Sequence, residues 1–210
     1  WGAGGRWGRD DELTRALGGG PPAGGGDAAG SAARLAARAD REGLLDVAYA
    51  TVDSPLGPLL AVGTPRGLVM LAYADGGVDE RLQRVADAVS PRILEAPARL
   101  DPARRELDEY FAGRRRAFDV PIDWTLIAGY ARRVLGATAR IPFGQSRSYA
   151  EVSADAGSPR GARATGNALG SNPIPIVIPC PRVLRAGGVL GGYTGGVERK
   201  RFLLELESRP

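Results

Sequence analysis

The hydrophobic pattern of the chain changes near residue 124, and this change constrains the fold more than any other feature of the sequence. From Asp46 to residue 123, short apolar runs alternate with turn sequences rich in proline and glycine. The three clearest runs are residues 47–52, 59–62 and 68–71. Short runs separated by such turns predict an antiparallel meander. From Trp124 onward the apolar residues recur with helical spacing, so the sequence predicts an α+β protein whose second half is mainly helical.

The first 45 residues differ from both halves. Residues 1–45 are rich in glycine and alanine, and the glycine-rich chain up to residue 33 is expected to be flexible. A short helix from Asp10 to Leu17 and an Ala/Arg-rich helix over residues 32–43 are the regular elements expected there. We therefore interpret this part as a flexible N-terminal segment.

Helical spacing places further elements on both sides of the change. Residues 46–123 are expected to form a small α+β domain, in which helices over 78–89 and 102–112 follow the meander and Phe118–Ile122 is a last short strand. Residues 124–210 are expected to form the second domain. Its helices are expected over residues 126–139, 148–156, 160–169 and 197–207.

Two of these helices have helix-turn-helix spacing. Ser148 and Glu151 have the spacing of a capping box, which predicts a helix start, and Gly157-Ser158-Pro159 interrupts the helix that follows. Two short helices joined by a glycine-containing turn are typical of DNA-binding proteins, but helical hairpins are also common in bundles. The second helix is rich in glycine and alanine, which favours close approach to another surface, and Arg160 and Arg163 project from it.

Composition excludes several kinds of active site. The 210 residues contain one cysteine, Cys180, and no histidine, which excludes a Cys–His dyad, an internal disulfide and a cysteine zinc cluster. The formal net charge is +4, and Lys200 is the sole lysine. Arginine suits bidentate contacts with phosphates and base edges, and a GC-rich genome explains its frequency equally well. No apolar run reaches the roughly 18 residues of a membrane span, so a cytoplasmic protein without membrane contact is expected.

Cys180 lies between Pro179 and Pro181, directly after the apolar run Ile176–Ile178. A lone cysteine is most often a buried structural residue. The glycine-dense loop over residues 187–196 favours a functional thiol instead, because backbone without side chains can approach a flat ligand closely. The loop lacks the lysine-serine ending of a phosphate-binding loop.

In their order and spacing, the residues around this cysteine resemble the C-terminal domain of the O6-alkylguanine-DNA alkyltransferases, also called methylated-DNA–protein-cysteine S-methyltransferases. The matching residues are Phe143-Gly144, Ser148-Tyr149, Ala162–Gly166, Asn172–Pro175, Ile178–Cys180, Arg182-Val183, Gly192–Gly196, Lys200, Leu203-Leu204 and Glu207. Residues 46–123 resemble, more weakly, the family's N-terminal RNase H-like domain, without the zinc ligands of some members. The resemblance implies a winged-helix-like second domain in a DNA repair protein that flips O6-alkylguanine out of the duplex. The alkyl group then passes irreversibly to a cysteine, once per molecule.

The resemblance also implies roles for individual residues. Cys180 would be the nucleophile and alkyl acceptor, Arg163 would fill the gap left by the flipped base, and Tyr149 would push the phosphate and donate to the guanine ring. Asn172 would hold the turn before the cysteine. Further DNA contacts and the walls of the base pocket are expected from Arg160, Thr165, Pro175, Val183, Tyr193, Thr194 and Lys200. The implied partner is double-stranded DNA containing alkylated guanine, bound through its minor groove by a monomer that uses no cofactor and no metal.

The chain departs from the family pattern at Pro181, where the family has a histidine. That histidine relays a proton from the thiol, through water, towards the glutamate that matches Glu207. Proline cannot relay a proton, and burial raises the pKa of a thiol. Two sources of ionisation stay open, namely Glu207 acting through water and stabilisation of the thiolate by Arg182 and a helix N-terminus. Three functions stay open: alkyl transfer, lesion binding without repair, and transfer retuned to another lesion or alkyl donor.

Overall fold

A computed structural model of the chain describes residues 25–209, and the helix expected from Asp10 to Leu17 lies outside this range. Helix α1 spans Gly25–Arg41. The glycine content predicts flexible chain up to residue 33, and this prediction is wrong for residues 25–33. Alanine has the highest helix propensity, and packing against the sheet further stabilises this alanine-rich helix. The buried residues at this contact with the sheet are Ala36, Leu45, Ala48 and Ala96.

Four strands form one sheet in the order β3-β2-β1-β4. Their bounds are Val47–Val52 for β1, Leu59–Thr64 for β2, Gly67–Tyr73 for β3 and Ile93–Glu95 for β4. The first three strands are antiparallel neighbours, which confirms the predicted meander. Strand β4 pairs in parallel with β1, and its three residues are too few to form a periodic pattern in the sequence.

Alternate residues of the central strand β2 enter two different cores. Leu59 and Ala61 belong to a core that continues into the second half of the chain, whereas Leu60 and Val62 pack with Val85 on the other face. Two helices cover these faces: α2 spans Val78–Ala88 and α3 spans Asp101–Phe111, close to the predicted bounds. Because both faces of the sheet are covered, five of the six residues of β2 are buried.

Residues 118–122 do not form the strand that their apolar residues predict. Ile122 makes a single bridge to Leu68 of β3, and the Leu68 N–H donates to the Pro121 carbonyl over 2.8 Å. Pro121 has no N–H with which to continue a ladder. The segment therefore follows the edge of β3 without extending the sheet.

Four helices and a pair of short parallel strands make up the second half of the chain. Their bounds are Gly129–Ala139 for α4, Tyr149–Asp155 for α5, Ala162–Gly170 for α6, Val197–Glu207 for α7, Arg147–Ser148 for β5 and Val183–Leu184 for β6. Helix α6 begins at Ala162 rather than at Arg160, because the turn after α5 is closed by a 2.8 Å bond from the Gly161 N–H to the Ser158 carbonyl.

The predicted capping box is present at the start of α5. The Ser148 hydroxyl oxygen accepts from the Glu151 N–H at 3.2 Å, and the Glu151 carboxylate accepts from the Ser148 N–H at 2.7 Å. Each side chain satisfies a backbone N–H that the first helical turn leaves without a partner. The box fixes where the helix-turn-helix begins.

A single hydrophobic core joins the sheet to the helical half. Leu59 and Leu107 from the first half share it with Val134 and Ile174 from the second. In addition, the Leu71 N–H of β3 donates to the Pro173 carbonyl over 2.8 Å. The chain that leads to Cys180 is thereby held against the end of the sheet.

Between residues 25 and 209, none of the helices combines the length and apolar character needed to cross a membrane.

Candidate active site

Cys180 begins a short 3-10 helix, Cys180–Arg182, and only 5% of its surface is exposed. The Asn172 side chain holds this position from below. Its Nδ2 lies 3.2 Å from the Cys180 sulfur and donates to the Ile178 carbonyl over 3.0 Å, while its Oδ1 accepts from the Ile174 N–H at 3.0 Å. One buried amide therefore bonds both the turn and the sulfur.

The turn that Asn172 holds contains an unusual backbone conformation. Ile176 has a φ of 76°, a region that β-branched residues rarely adopt. The Ile178 N–H bonds to the Ile174 carbonyl over 2.9 Å across it. Backbone strain of this kind persists only where the surrounding contacts impose it, and here it directs the following residues towards Cys180.

Burial raises the pKa of the Cys180 thiol to about 11, against the opposing effects of the Asn172 hydrogen bond and the charge of Lys200. At neutral pH the thiol is therefore protonated before a substrate arrives. Because the thiolate rather than the thiol is nucleophilic, the reactivity of Cys180 depends on groups that favour loss of this proton.

Lys200 is one such group. It is 1% exposed, its Nζ donates to the Val183 carbonyl over 2.7 Å, and it has no ion-pair partner among residues 25–209. Burial lowers the pKa of the amine, and the charge of Cys180 opposes this effect. A buried cation without a carboxylate partner stabilises a nearby anion, and the ionisations of Lys200 and Cys180 are coupled in this way.

Glu207 is buried and bonded by three residues. Arg182 contacts its carboxylate through Nε at 2.8 Å and Nη2 at 2.9 Å. The Tyr110 hydroxyl donates to the same carboxylate over 2.7 Å, and the Gly144 N–H over 3.3 Å. With Pro181 in the histidine position, the Glu207 carboxylate is paired with the guanidinium of Arg182. Relay from Cys180 to Glu207 through water and stabilisation of the thiolate by Arg182 both stay predictions.

A groove of about 790 Å³ opens above the thiol. Cys180, Tyr149, Arg163, Tyr193 and Thr194 all line it. Its volume lies in the range of ligand-binding sites. The structure therefore brings five of the residues expected at the site together, around one opening beside helix α6.

Tyr149, which lines the groove, packs against Gly191 of the glycine loop. A Cβ at Gly191 would lie 2.5 Å from the Tyr149 hydroxyl oxygen, closer than any carbon can approach. Tyr149 is therefore able to lie against the glycine loop only because position 191 has no side chain.

Other residues expected at the site lie elsewhere. Thr165 was expected at the DNA surface, but it is fully buried and bonds to the Tyr130 hydroxyl at 2.8 Å. Arg160 is exposed and precedes α6. Val183 is buried and contributes its carbonyl to Lys200, and Pro175 lines an adjoining cavity of about 660 Å³ that shares Thr194 with the groove.

Sequence reasoning missed Tyr73 and Tyr110. Tyr73 lies at the end of β3, and its hydroxyl oxygen is 2.8 Å from that of Tyr193. Tyr110 lies on α3 and donates to Glu207. Both residues come from the first half of the chain, and no motif surrounds them. Their spacing in the sequence predicts only that each belongs to a regular element with a buried face.

Fold and site together define a two-domain protein that presents a buried thiol in a groove beside a helix-turn-helix. The comparisons agree with this class. A model of the 6-O-methylguanine DNA methyltransferase ribonuclease-like domain matches residues 47–124, and a model of the same family's DNA binding domain matches residues 129–209. The chain belongs to the 6-O-methylguanine DNA methyltransferase family.

Individual relatives support the same membership. The methylated-DNA–protein-cysteine methyltransferase of Mycobacterium tuberculosis is 40% identical over 161 residues, which cover 76% of this chain and 91% of the relative. The constitutive Bacillus subtilis relative of that name is 36% identical over 163 residues, covering 76% and 94%.

Solved structures of the family are also similar. The Mycobacterium tuberculosis O6-methylguanine methyltransferase matches with a TM-score of 0.67 and 39% identity over 78% of this chain and 95% of that one. A structure described as Mycobacterium tuberculosis OGT in complex with DNA matches with a TM-score of 0.66 over 77% and 92%.

Proposed function

We propose that this protein repairs DNA by moving the alkyl group of O6-alkylguanine onto Cys180. The observation that carries the proposal is that the thiol lies in a groove together with two residues of the helix-turn-helix, the exposed Arg163 and the half-buried Tyr149. A target base can reach the sulfur only if it leaves the duplex, as in other proteins that modify bases. The family membership supports the same reaction.

DNA is the partner, and we propose that helix α6 enters its minor groove. Beside Arg163 and Asn167, the exposed residues of α6 are the small residues Ala164 and Gly170, so the helix backbone can approach the duplex closely. Arg163 lines the groove that contains the thiol, and a guanidinium in this position fills the space of an extruded base. Little sequence information is read in the minor groove, which suits a protein that must act at any guanine.

In the proposed reaction the sulfur attacks the alkyl carbon, the S–C bond forms and the C–O6 bond breaks. Overall, the thiol loses its proton, the alkyl group replaces it, and the released guanine gains a proton at a ring nitrogen. The Asn172 amide at 3.2 Å and the Lys200 charge favour the thiolate. Tyr149 lines the groove; in the proposed reaction its hydroxyl gives a proton to the guanine ring nitrogen and is reprotonated through water by the proton that leaves Cys180.

A second candidate is lesion binding without repair. It is favoured by the absence of a histidine and by the raised pKa of Cys180, to about 11. A protein of this kind would hold O6-alkylguanine in the groove and leave the sulfur unmodified.

Intact mass after incubation with duplex DNA separates the candidates. A duplex containing one O6-methylguanine should add a methyl group to Cys180, while a matched guanine duplex and the Cys180→Ser variant should show no change. Binding of the lesion without an adduct would establish the second candidate. An adduct formed by Pro181→His but not by the native chain would show that proline disables transfer, and an adduct from bulkier O6-alkyl lesions alone would show a retuned specificity.

A further inference from the structure

Tyr193, which lines the groove, is bonded to a residue of the other domain. Tyr193 lies in the glycine loop, and its hydroxyl oxygen is 2.8 Å from that of Tyr73, the last residue of β3. The two rings meet edge to face, with centroids 6.3 Å apart and planes at 80°. Tyr193 lines the groove beside Cys180, so a contact with the sheet reaches the site of transfer.

Tyr73 is itself fixed on several sides. It is 6% exposed, and the Arg199 guanidinium lies over its ring, 4.1 Å from the centroid. Arg199 also bonds to the Leu56 carbonyl at 3.2 Å and to Asp75 at 2.8 Å. A surface ion pair alone contributes little to stability. The Arg199 guanidinium, however, combines its ion pair with a contact to the Tyr73 ring and a bond to a backbone carbonyl. Tyr73 is therefore a rigid anchor.

Close packing prevents Tyr193 from turning away independently. A side chain at Gly195 would overlap the rings of both Tyr73 and Tyr193, so the loop backbone lies directly against the pair. Burial raises the pKa of Tyr73 to about 12 and that of Tyr193 further. Both hydroxyls therefore stay protonated at physiological pH, and one of them always donates to the other.

We propose that Tyr73 is a positioning residue for alkyl transfer: its hydroxyl holds Tyr193 as the fixed wall of the groove, so that an entering base is aligned with the Cys180 sulfur. The ribonuclease-like domain thereby contributes to the geometry of the reaction as well as to the core. This inference rests on the proposed transfer to Cys180.

Tyr73→Phe tests the proposal, because it removes one hydroxyl and keeps the ring. The loss of a buried hydrogen bond should lower the single-turnover rate constant for transfer from duplex O6-methylguanine about fivefold. Tyr193→Phe should lower it equally, and the double variant no further, since one interaction is lost in each case. Alkylation of Cys180 by iodoacetamide should be unchanged, which a general loosening of the fold would not allow. Tyr49→Phe, on β1, is the matched control and should transfer at the native rate.

Transfer at the native rate by Tyr73→Phe, or losses that add in the double variant, would overturn the proposal. Lesion preference provides a second measurement that does not depend on chemistry. In a Cys180→Ala background, Tyr73→Phe should reduce the ratio of affinities for O6-methylguanine and guanine duplexes about fivefold, and an unchanged ratio would also overturn it. Absence of any adduct on the native protein would instead refute the proposed function, and the affinity ratio would still decide the role of Tyr73.

Discussion

The guanidinium of Arg182 and the carboxylate of Glu207 face each other through two hydrogen bonds of 2.8 and 2.9 Å. Their side chains are 8% and 5% exposed. The pair joins the residue two places after the nucleophile to the last residue of α7. Because the Tyr110 hydroxyl also bonds the carboxylate, the cysteine turn, α7 and α3 are tied together at one buried point.

Removal of one partner from this ion pair should be costly. Arg182→Met leaves the Glu207 carboxylate buried without its counter-ion, and we expect a loss of about 3–5 kcal/mol in the free energy of unfolding. Urea denaturation measures it. Arg104→Met breaks an exposed pair with Asp101 and should cost less than about 1 kcal/mol. Equal losses in the two variants would contradict the structural role of the buried pair.

Lys200→Met should shift the pH dependence of transfer. Without the buried charge the pKa of Cys180 rises, so less thiolate is present at a given pH, and the rate falls about tenfold for each unit of the rise. Single-turnover rates measured across alkaline pH should give a profile displaced to higher pH. Arg201→Met, an exposed neighbour on α7, should leave the profile in place. An unshifted profile for Lys200→Met would remove the lysine from the chemistry.

The raised pKa of the Cys180 thiol should make the free energy of unfolding depend on pH in the alkaline range. The folded-state pKa of Cys180 is raised from 9.0 to about 11, so between these values the unfolded chain has lost a proton that the folded chain keeps. The stabilisation is complete below the lower value and is lost as the pH rises through the higher one, an effect of about 3 kcal/mol. The difference in unfolding free energy between the native protein and Cys180→Ala should follow this curve. A flat difference would show that the thiol is not buried as described.

Gly191→Ala should impair transfer by displacing Tyr149. Its Cβ would meet the Tyr149 hydroxyl at 2.5 Å, so the ring must move out of the groove, and misplacement of about 1 Å can reduce a rate by about 100-fold. Transfer from duplex O6-methylguanine measures the effect. Gly136→Ala on α4 meets no atom, should stabilise the helix by about 0.5–1 kcal/mol and should transfer normally. Native activity in Gly191→Ala would show that Tyr149 has room to adjust.

Arg163→Ala should weaken discrimination of the lesion without unfolding the protein. The side chain is exposed on α6, so its loss leaves the core intact. If it fills the space of the extruded base, the affinity for O6-methylguanine duplex should fall by more than the affinity for undamaged duplex. Electrophoretic mobility shifts at constant salt measure both. An equal reduction for both duplexes would make Arg163 a phosphate contact only.

Local pattern in the sequence was sufficient for most elements. The meander follows from runs and turns, the start of α5 from Ser148 and Glu151, and the bend before the cysteine from Asn172 and Pro173. The contacts that complete the site were not readable in this way. Tyr73 and Tyr193 are 120 residues apart in the sequence, and Tyr110 and Glu207 are 97 residues apart. Local propensity does not determine which distant side chains come into contact in the fold.

The expected DNA contact of Thr165 is wrong for a related reason. A helix can be predicted without knowing how it is rotated, and Thr165 faces inward because Tyr130 on α4 lies beneath it. The role of Glu207 came from the family resemblance and stays a prediction, whereas its ion pair with Arg182 depends on which cation the fold places nearest.

The core shared by the sheet and the helices makes the two halves of the chain depend on each other for stability. Leu59 and Leu107 lie in the same apolar cluster as Val134 and Ile174, and Pro173 accepts a backbone bond from β3. Cutting the chain between the two family domains would expose this cluster to water on both fragments. We therefore expect the DNA-binding half alone to be less stable than the whole chain, and the two halves to melt together in a calorimetric scan of the whole chain.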